Sequence, residues 1–333
     1  MQGSFLPGLI WLGFPQLGWH LAVLMALTLY VGNAMKDLVS APRPLGVSAN
    51  GSHRITLLEG ETKEAGLNAK EYGLPSSHTM NSVCLNFYLC HYLHENEILS
   101  EKETLITYSL AVVWCTWIAV SRMYLGLHSP IDLLAGLIAG FTVLTTFISI
   151  ENVIEAWIAQ GPLFVGSSAA VICLILLRLH PRPLHATPTY EFSTSIMGVM
   201  FGTSTAVSRF QEFYDYPIRI TELGNIHYSW HIRRLMAGFV ILMASKTVFK
   251  ALSFALLPQL YLFFPLKLRR LWQPPVHSQC LPKNMENPAL KALPHSPRGK
   301  PFDVEMTARF FAYAGIGLGA AELAPRFFTM MGW

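Results

Sequence analysis

Apolar residues run along this chain in long blocks, without the strict alternation that a half-buried strand requires. Four windows hold no Asp, Glu, Lys or Arg at all: residues 1–35, 104–121, 133–150 and 156–177. A helix needs about 20 mostly apolar residues to cross a bilayer, so each window predicts a crossing. The complete set of predicted helices is residues 5–35, 77–93, 104–121, 131–150, 156–177, 192–208, 235–266 and 306–325. Gly13, Pro15 and Gly18 interrupt the first, whose cleaner crossing is GWHLAVLMALTLYVGNAM. The sixth, FSTSIMGVMFGTSTAVS, is rich in small residues and predicts a helix packed closely on its neighbours. Lys246, Lys250 and Pro258 break the seventh, which predicts one crossing plus an interfacial piece. The expected fold is all-α: a polytopic transmembrane bundle of about eight helices, without internal repeats.

Composition agrees with that pattern. Of the 333 residues, 52% are hydrophobic and 13% charged, about half the charged share of an ordinary soluble domain. The net charge of +4 is small and spread along the chain. It argues against a nucleic-acid partner, and no obligate protein partner is evident. Cys84, Cys90, Cys115, Cys173 and Cys280 show no paired spacing, and most sit where cysteine acts as a small hydrophobe. The amino terminus lacks a basic segment followed by a cleavage site, so no removable signal peptide is expected. Its abrupt start in FLPGLIWLGF fits an upstream cytosolic segment.

Polar residues at membrane depth are costly and usually functional. Three clusters stand out in residues 1–155, the expected catalytic core; residues 156–333 add further helices and a proline-rich loop at about 272–302. The clusters are KDLVSAPRP with Lys36 and Arg43, PSSH with Ser76, Ser77 and His78, and SRMYLGLHSPIDLLAG with Arg122, His128 and Asp132. The first helix is expected to end at Lys36, and the second to leave from His78. The third returns at Arg122, and the fourth departs from His128. Alternate crossings therefore bring all three clusters to one face of the bundle, which places the active site at helix ends.

The residue types suit phosphoryl transfer. His128 and Asp132 are spaced i, i+4, so they share a helix face about 5–6 Å apart. An Asp that holds one ring nitrogen leaves the other as a lone-pair donor. Lys36, Arg43 and Arg122 would converge as a cationic cradle for phosphate oxygens. The N–H groups of Ser77 and His78, at a helix start, form an anion site. His78 is then placed to protonate a leaving alkoxide. No carboxylate cluster suited to Mg²⁺ accompanies these groups, so hydrolysis without a metal or other cofactor is expected.

The three clusters resemble the three-part signature of the type 2 phosphatidic acid phosphatase superfamily. Their flanks, YVGNAMKDLVSAPRP, EYGLPSSHTMN and SRMYLGLHSPIDLLAG, resemble its sphingosine-1-phosphate phosphatase branch, and DVEMTARFFAYAGIGLGAAELAPRFF is similar to that branch's last helix. The resemblance implies a multi-pass protein of the endoplasmic reticulum membrane that hydrolyses sphingoid-base 1-phosphates through a phosphohistidine. It implies His128 as nucleophile, Asp132 as its partner and His78 as acid. It assigns Lys36, Arg43, Ser76, Ser77 and Arg122 to phosphate binding. The commoner superfamily motif has glycine at the position of Ser77.

Two other functions share parts of this pattern. One is a polyprenyl (dolichyl) diphosphate or glycerolipid phosphatase. The other is a transporter that binds a phosphorylated ligand without cleaving it. Against transport stands the histidine pair, since binding needs cations and only chemistry needs a nucleophile and an acid. His91 and His94 lie at the opposite end without further ligands in sequence, a poor metal reading. His180–Pro183 is expected to be a loop near the mouth of the site. Arg233, Arg234 and KLRR at residues 267–270 read as interfacial anchors, and Asn50 is an N-x-S acceptor for glycosylation.

Overall fold

A proline and a positive-φ glycine divide the first apolar block. Helix α1 (Gln2–Trp11) stops at a turn whose Gly13 has φ of 103°, and α2 (Pro15–Val39) begins on the proline. The computed structural model describes residues 2–41, 43, 71–181, 183, 187–214, 228–263 and 304–333. The proline-rich loop at about 272–302, the KLRR anchor and Asn50 lie outside the described residues. Further helices are α3 (Ser77–Glu95), α4 (Glu101–Tyr124), α5 (Pro130–Ile158), α6 (Pro162–Leu179), α7 (Thr189–Arg209) and α8 (Gln211–Tyr214). The chain continues with α9 (Tyr228–Phe263), α10 (Val304–Leu318), a π-helical turn (Gly319–Leu323) and α11 (Ala324–Met330). All regular secondary structure among the described residues is helical.

Among the described residues, five helices are long and apolar enough to cross a membrane: α2, α4, α5, α6 and the His231–Leu260 part of α9. Burial sorts them. In α2, 78% of the apolar window is buried, against 17% in α4 and 22% in α6. Leu105, Ile106, Trp114 and Trp117 of α4 and Leu163, Ile172 and Ile175 of α6 are exposed. Such a belt of large apolar side chains fits lipid as solvent. α2 is the central post, packed against α3 and α7. α3 and α7 are too polar to qualify by composition alone, and their Ser and Thr residues turn inward instead. In α7, Ser193, Thr194, Thr203 and Ser204 are buried. Its Gly202 faces the Ala314 backbone of α10 so closely that a Cβ would collide with it. This is the tight packing expected of the Ser/Thr/Gly-rich segment.

Helices α2, α5, α6 and α9 differ from the sequence expectation. α2 does not stop at Lys36 but carries it in its last turn, ending at Val39 with Ser40 in a left-handed cap. α5 continues through Glu151 and Glu155 to Ile158, and α6 starts only at Pro162. The two glutamates stay inside the helix because other helices supply their partners: Tyr88 donates to Glu151, and Gln16 to Glu155. α9 runs unbroken through Pro258 as one 36-residue helix in place of a crossing and a separate interfacial piece. Lys246 escapes lipid by resting over the Tyr313 ring, 5.0 Å from its centroid.

Candidate active site

The last turn of α2 and the first turn of α3 meet the loop that joins α4 to α5. Ser76 is the N-cap of α3, and its Oγ accepts from the Thr79 N–H at 3.4 Å and the Thr79 hydroxyl at 3.1 Å. Its own N–H donates to the Asp132 carbonyl at 3.0 Å, which fastens α3 to the start of α5. The two helices touch at Gly136, where a Cβ would lie 2.8 Å from the Ser76 carbonyl oxygen. Only glycine admits this approach. The first N–H groups of a helix lack partners within it, and Ser77 and His78 contribute two of them. The Ser77 Oγ is buried and has no hydrogen-bond partner, so a polar side chain is held ready at the helix start.

His128 lies just ahead of α5, buried to 4% exposure, and Asp132 is similarly buried in that helix's first turn. The His128 Nδ1 stands 3.7 Å from Asp132 Oδ2, beyond hydrogen-bond length, and has no partner. The sequence predicted a formed hydrogen bond. Asp132 is instead drawn into the capping box of α5: its Oδ2 accepts from the Ser129 N–H at 2.7 Å, and its N–H donates to Ser129 Oγ at 3.3 Å. The pair is thus in register but open. Catalytic hydrogen bonds are often long without substrate and tighten when it binds.

The cations take up positions around this histidine. Lys36 and Arg43 are buried, and both address Glu71. Lys36 Nζ donates to Glu71 Oε2 at 3.0 Å, and Arg43 Nη2 reaches the same oxygen at 3.4 Å. Arg43 also donates to two backbone carbonyls, Glu71 at 3.1 Å and Leu127 at 3.3 Å. It thereby ties the loop before α3 to the loop that carries His128. Arg122, half-buried at the end of α4, donates only weakly to Ser121 Oγ at 3.4 Å, with no carboxylate partner among the described residues. His78 is exposed on the first turn of α3, within electrostatic reach of Arg122, Lys36 and Arg43.

Every site residue expected from the sequence therefore falls in one cluster: Lys36, Arg43, Ser76, Ser77, His78, Arg122, His128 and Asp132. Sequence reasoning missed Glu71 and Ser129. Glu71 opens the quoted EYGLPSSH stretch, and an acid beside a predicted cationic cradle was its available signal. Ser129 and Asp132 form the S-x-x-D spacing of a cap. His180 is not a loosely placed mouth residue. It is buried in a network below the site: its Nδ1 lies 3.6 Å from Asp37 Oδ2, and its Nε2 lies 3.1 Å from Ser193 Oγ. The Thr187 and Thr189 hydroxyls donate to Asp37, which anchors the last turn of α2 beside Lys36.

Burial, then the charges of Arg43, Lys36 and His78, push the His128 imidazole down from 6.5 to about 3, with the Gly73 backbone opposing. The ring is neutral at physiological pH, the state in which it carries a nucleophilic lone pair. Its depressed value also sets a stability window. The unfolded chain takes up this proton near pH 6.5, so the contribution is complete above that pH and is lost progressively down to about pH 3. The full swing is up to about 5 kcal/mol. The melting temperature of the wild-type chain, relative to His128→Gln, should fall as pH drops from 6.5 toward 4. A gap that does not change over that range would contradict a neutral buried His128.

Comparisons with known proteins agree with this geometry. The PAP2 superfamily model matches residues 17–154, which hold all three clusters. Lipid phosphate phosphatase delta of Arabidopsis thaliana is 32% identical over 98% of this chain and 78% of its own length. A dihydrosphingosine 1-phosphate phosphatase of Saccharomyces cerevisiae is 25% identical over 97% of this chain and 74% of its own. Mouse sphingosine-1-phosphate phosphatase 2 is 23% identical over 99% and 83%. No solved structure matches the chain. With its helices, its clustered motifs and a relative at this identity along nearly its whole length, the chain belongs to the PAP2 superfamily.

Proposed function

We propose that this protein is a multi-pass lipid phosphate phosphatase that hydrolyses sphingoid-base 1-phosphates without a metal ion in the reaction. The observation that carries the chemistry is the neutral, buried His128 beside Asp132, set among Lys36, Arg43 and Arg122. The substrate phosphate takes the place of the Glu71 carboxylate between Lys36 and Arg43 and gains the Arg122 guanidinium and the Ser77 hydroxyl. Asp132 receives the Nδ1–H of His128, so Nε2 is the attacking atom. It forms an N–P bond as the P–O bond to the lipid breaks, and His78, protonated once the dianionic phosphate offsets the charges of Arg122, Lys36 and Arg43, gives its proton to the departing alkoxide. Water then attacks the phosphohistidine with His78 as base, releasing phosphate and restoring His128. The cations act on the charge that spreads over the three equatorial oxygens in both steps. Relatives named for sphingosine and dihydrosphingosine 1-phosphates support the sphingoid substrate. A helix-end site lets the phosphate meet cations while the tail stays in lipid. The expected residence is the endoplasmic reticulum membrane, with residues 1–155 as the catalytic part.

Purified protein in detergent with EDTA should release phosphate from sphingosine 1-phosphate. It should do so at least about 10-fold faster than from phosphatidate or dolichyl diphosphate, a difference of about 1.4 kcal/mol in transition-state binding. Preference for either of the other lipids would move the substrate assignment within the superfamily. Release from none of them by the folded protein would leave a binding or transport role.

A further inference from the structure

At the end of the bundle remote from Lys36, three ionisable side chains on two helices close on one another with no part in the reaction proposed above. His20 lies early in α2, about 24 Å along the helix axis from Lys36 at 1.5 Å per residue. It is 1% exposed and faces Glu151 and Glu155 of α5. One ligand atom from each of the three lies within 4.8 Å of the others.

The hydrogen bonds around His20 fix which nitrogen carries its proton. The Tyr88 hydroxyl donates to Glu151 Oε1 at 2.6 Å, so its oxygen is left to accept. His20 Nδ1 lies 2.7 Å from that oxygen and 3.0 Å from Glu151 Oε1. Both neighbours are acceptors, so Nδ1 is the protonated nitrogen. In a neutral ring Nε2 then presents a lone pair. It is buried, has no hydrogen-bond partner, and stands 3.3 Å from Glu155 Oε1. A lone pair pressed against a carboxylate oxygen is repulsive unless a cation joins them.

A proton on Nε2 would also join them, but only through a poor bond, since no partner at 3.3 Å meets hydrogen-bond geometry at that nitrogen. A metal ion needs a different geometry. With metal–nitrogen and metal–oxygen bonds of about 2.0–2.1 Å at a tetrahedral angle, two ligand atoms lie about 3.3 Å apart. That is the separation found. The outer partners also suit a metal. The Nδ1–H is held by the Tyr88 oxygen, Glu151 keeps its second oxygen, Oε2, for the ion, and Glu155 Oε1 accepts from Gln16 at 2.8 Å. Gln16 in turn accepts from Tyr92 at 3.1 Å. His91 Nε2 lies 4.0 Å from Glu151 Oε2, at the edge of the cluster.

We propose that His20, Glu151 and Glu155 bind one divalent transition metal ion of the zinc class, which imidazole and carboxylate ligands suit. Two carboxylates and one dication leave no net charge where these helices pack together. The ion would fasten the start of α2 to the end of α5, a structural role far from His128.

The test uses the full chain in detergent, purified without a histidine tag, stripped with a chelator and titrated with Co²⁺ and Zn²⁺. Visible Co²⁺ absorption and metal analysis should show about one equivalent bound, coupled to the folded state. Binding should persist in His128→Ala and weaken at least about 10-fold in His20→Gln and Glu155→Gln. A wild-type chain that binds no metal overturns the proposal, as does binding unchanged in both of those variants. Should the variants fail to fold, the wild type alone decides. Zinc must raise its melting temperature in a concentration-dependent way, and an unchanged melting temperature refutes the site. Phosphate release is not the readout, so either result leaves the proposed reaction standing.

Discussion

Alanine in place of His128 should abolish phosphate release, with a loss on the order of 10⁴–10⁶-fold. The described side chains beside it, Asp132, Lys36 and Arg43, cannot replace it. Asp132 is committed to the cap of α5, and Lys36 and Arg43 are cations. His78→Ala should behave differently, because a general acid contributes about 10²–10⁴-fold and a good leaving group needs no proton. With p-nitrophenyl phosphate, rapid-quench measurement on His78→Ala should therefore show a phosphoenzyme that forms and persists. The same measurement on His128→Ala should show none. Equal residual rates in the two variants, or a phosphoenzyme in His128→Ala, would reverse the roles assigned.

Arg43→Ala should cost both activity and stability, whereas Arg122→Ala should cost activity alone. Arg43 is buried and donates to two backbone carbonyls as well as to Glu71. Its loss strands those acceptors, at about 1–3 kcal/mol each when desolvated. Lys36 still neutralises Glu71, so the two carbonyls alone set the total, about 2–6 kcal/mol, without the further cost of an unpaired buried charge. A lower melting temperature and at least about a 100-fold fall in kcat/KM should appear together. Arg122 is half-buried and holds little besides Ser121, so Arg122→Ala should keep its melting temperature while kcat/KM falls. Wild-type activity in Arg43→Ala would remove it from the phosphate cradle.

The convergence of the three clusters was legible before any coordinates, because crossings alternate sides and the clusters sit at ends of like parity. What could not be read was set by partners distant in sequence. Glu151 and Glu155 looked like the end of a crossing, since a charge in an apolar run is expensive until its partner is known. The partners are His20, Tyr88 and Gln16, from α2 and α3. α2 likewise seemed to stop at Lys36, yet one further turn is held by Asp37 and its threonine donors. Asp132 was read correctly as the neighbour of His128. Its distance was not, because a local cap competes for the same oxygen.

If Lys36 and Arg43 bind the substrate phosphate as proposed, Glu71 sets a threshold for any anion that reaches them. An anion arriving from solvent or lipid does not meet two bare cations. It meets a resident carboxylate, tethered a few ångströms away at an effective concentration that short tethers raise to the millimolar range. Chloride, acetate or a fatty-acid head group carries one charge and offers little that Glu71 does not already supply. A phosphate monoester carries nearly two charges and three acceptor oxygens, enough to engage Lys36, Arg43 and Arg122 at once. On the proposed reading Glu71 thus sorts ligands by valence, and the membrane's abundant carboxylates should not inhibit phosphate release.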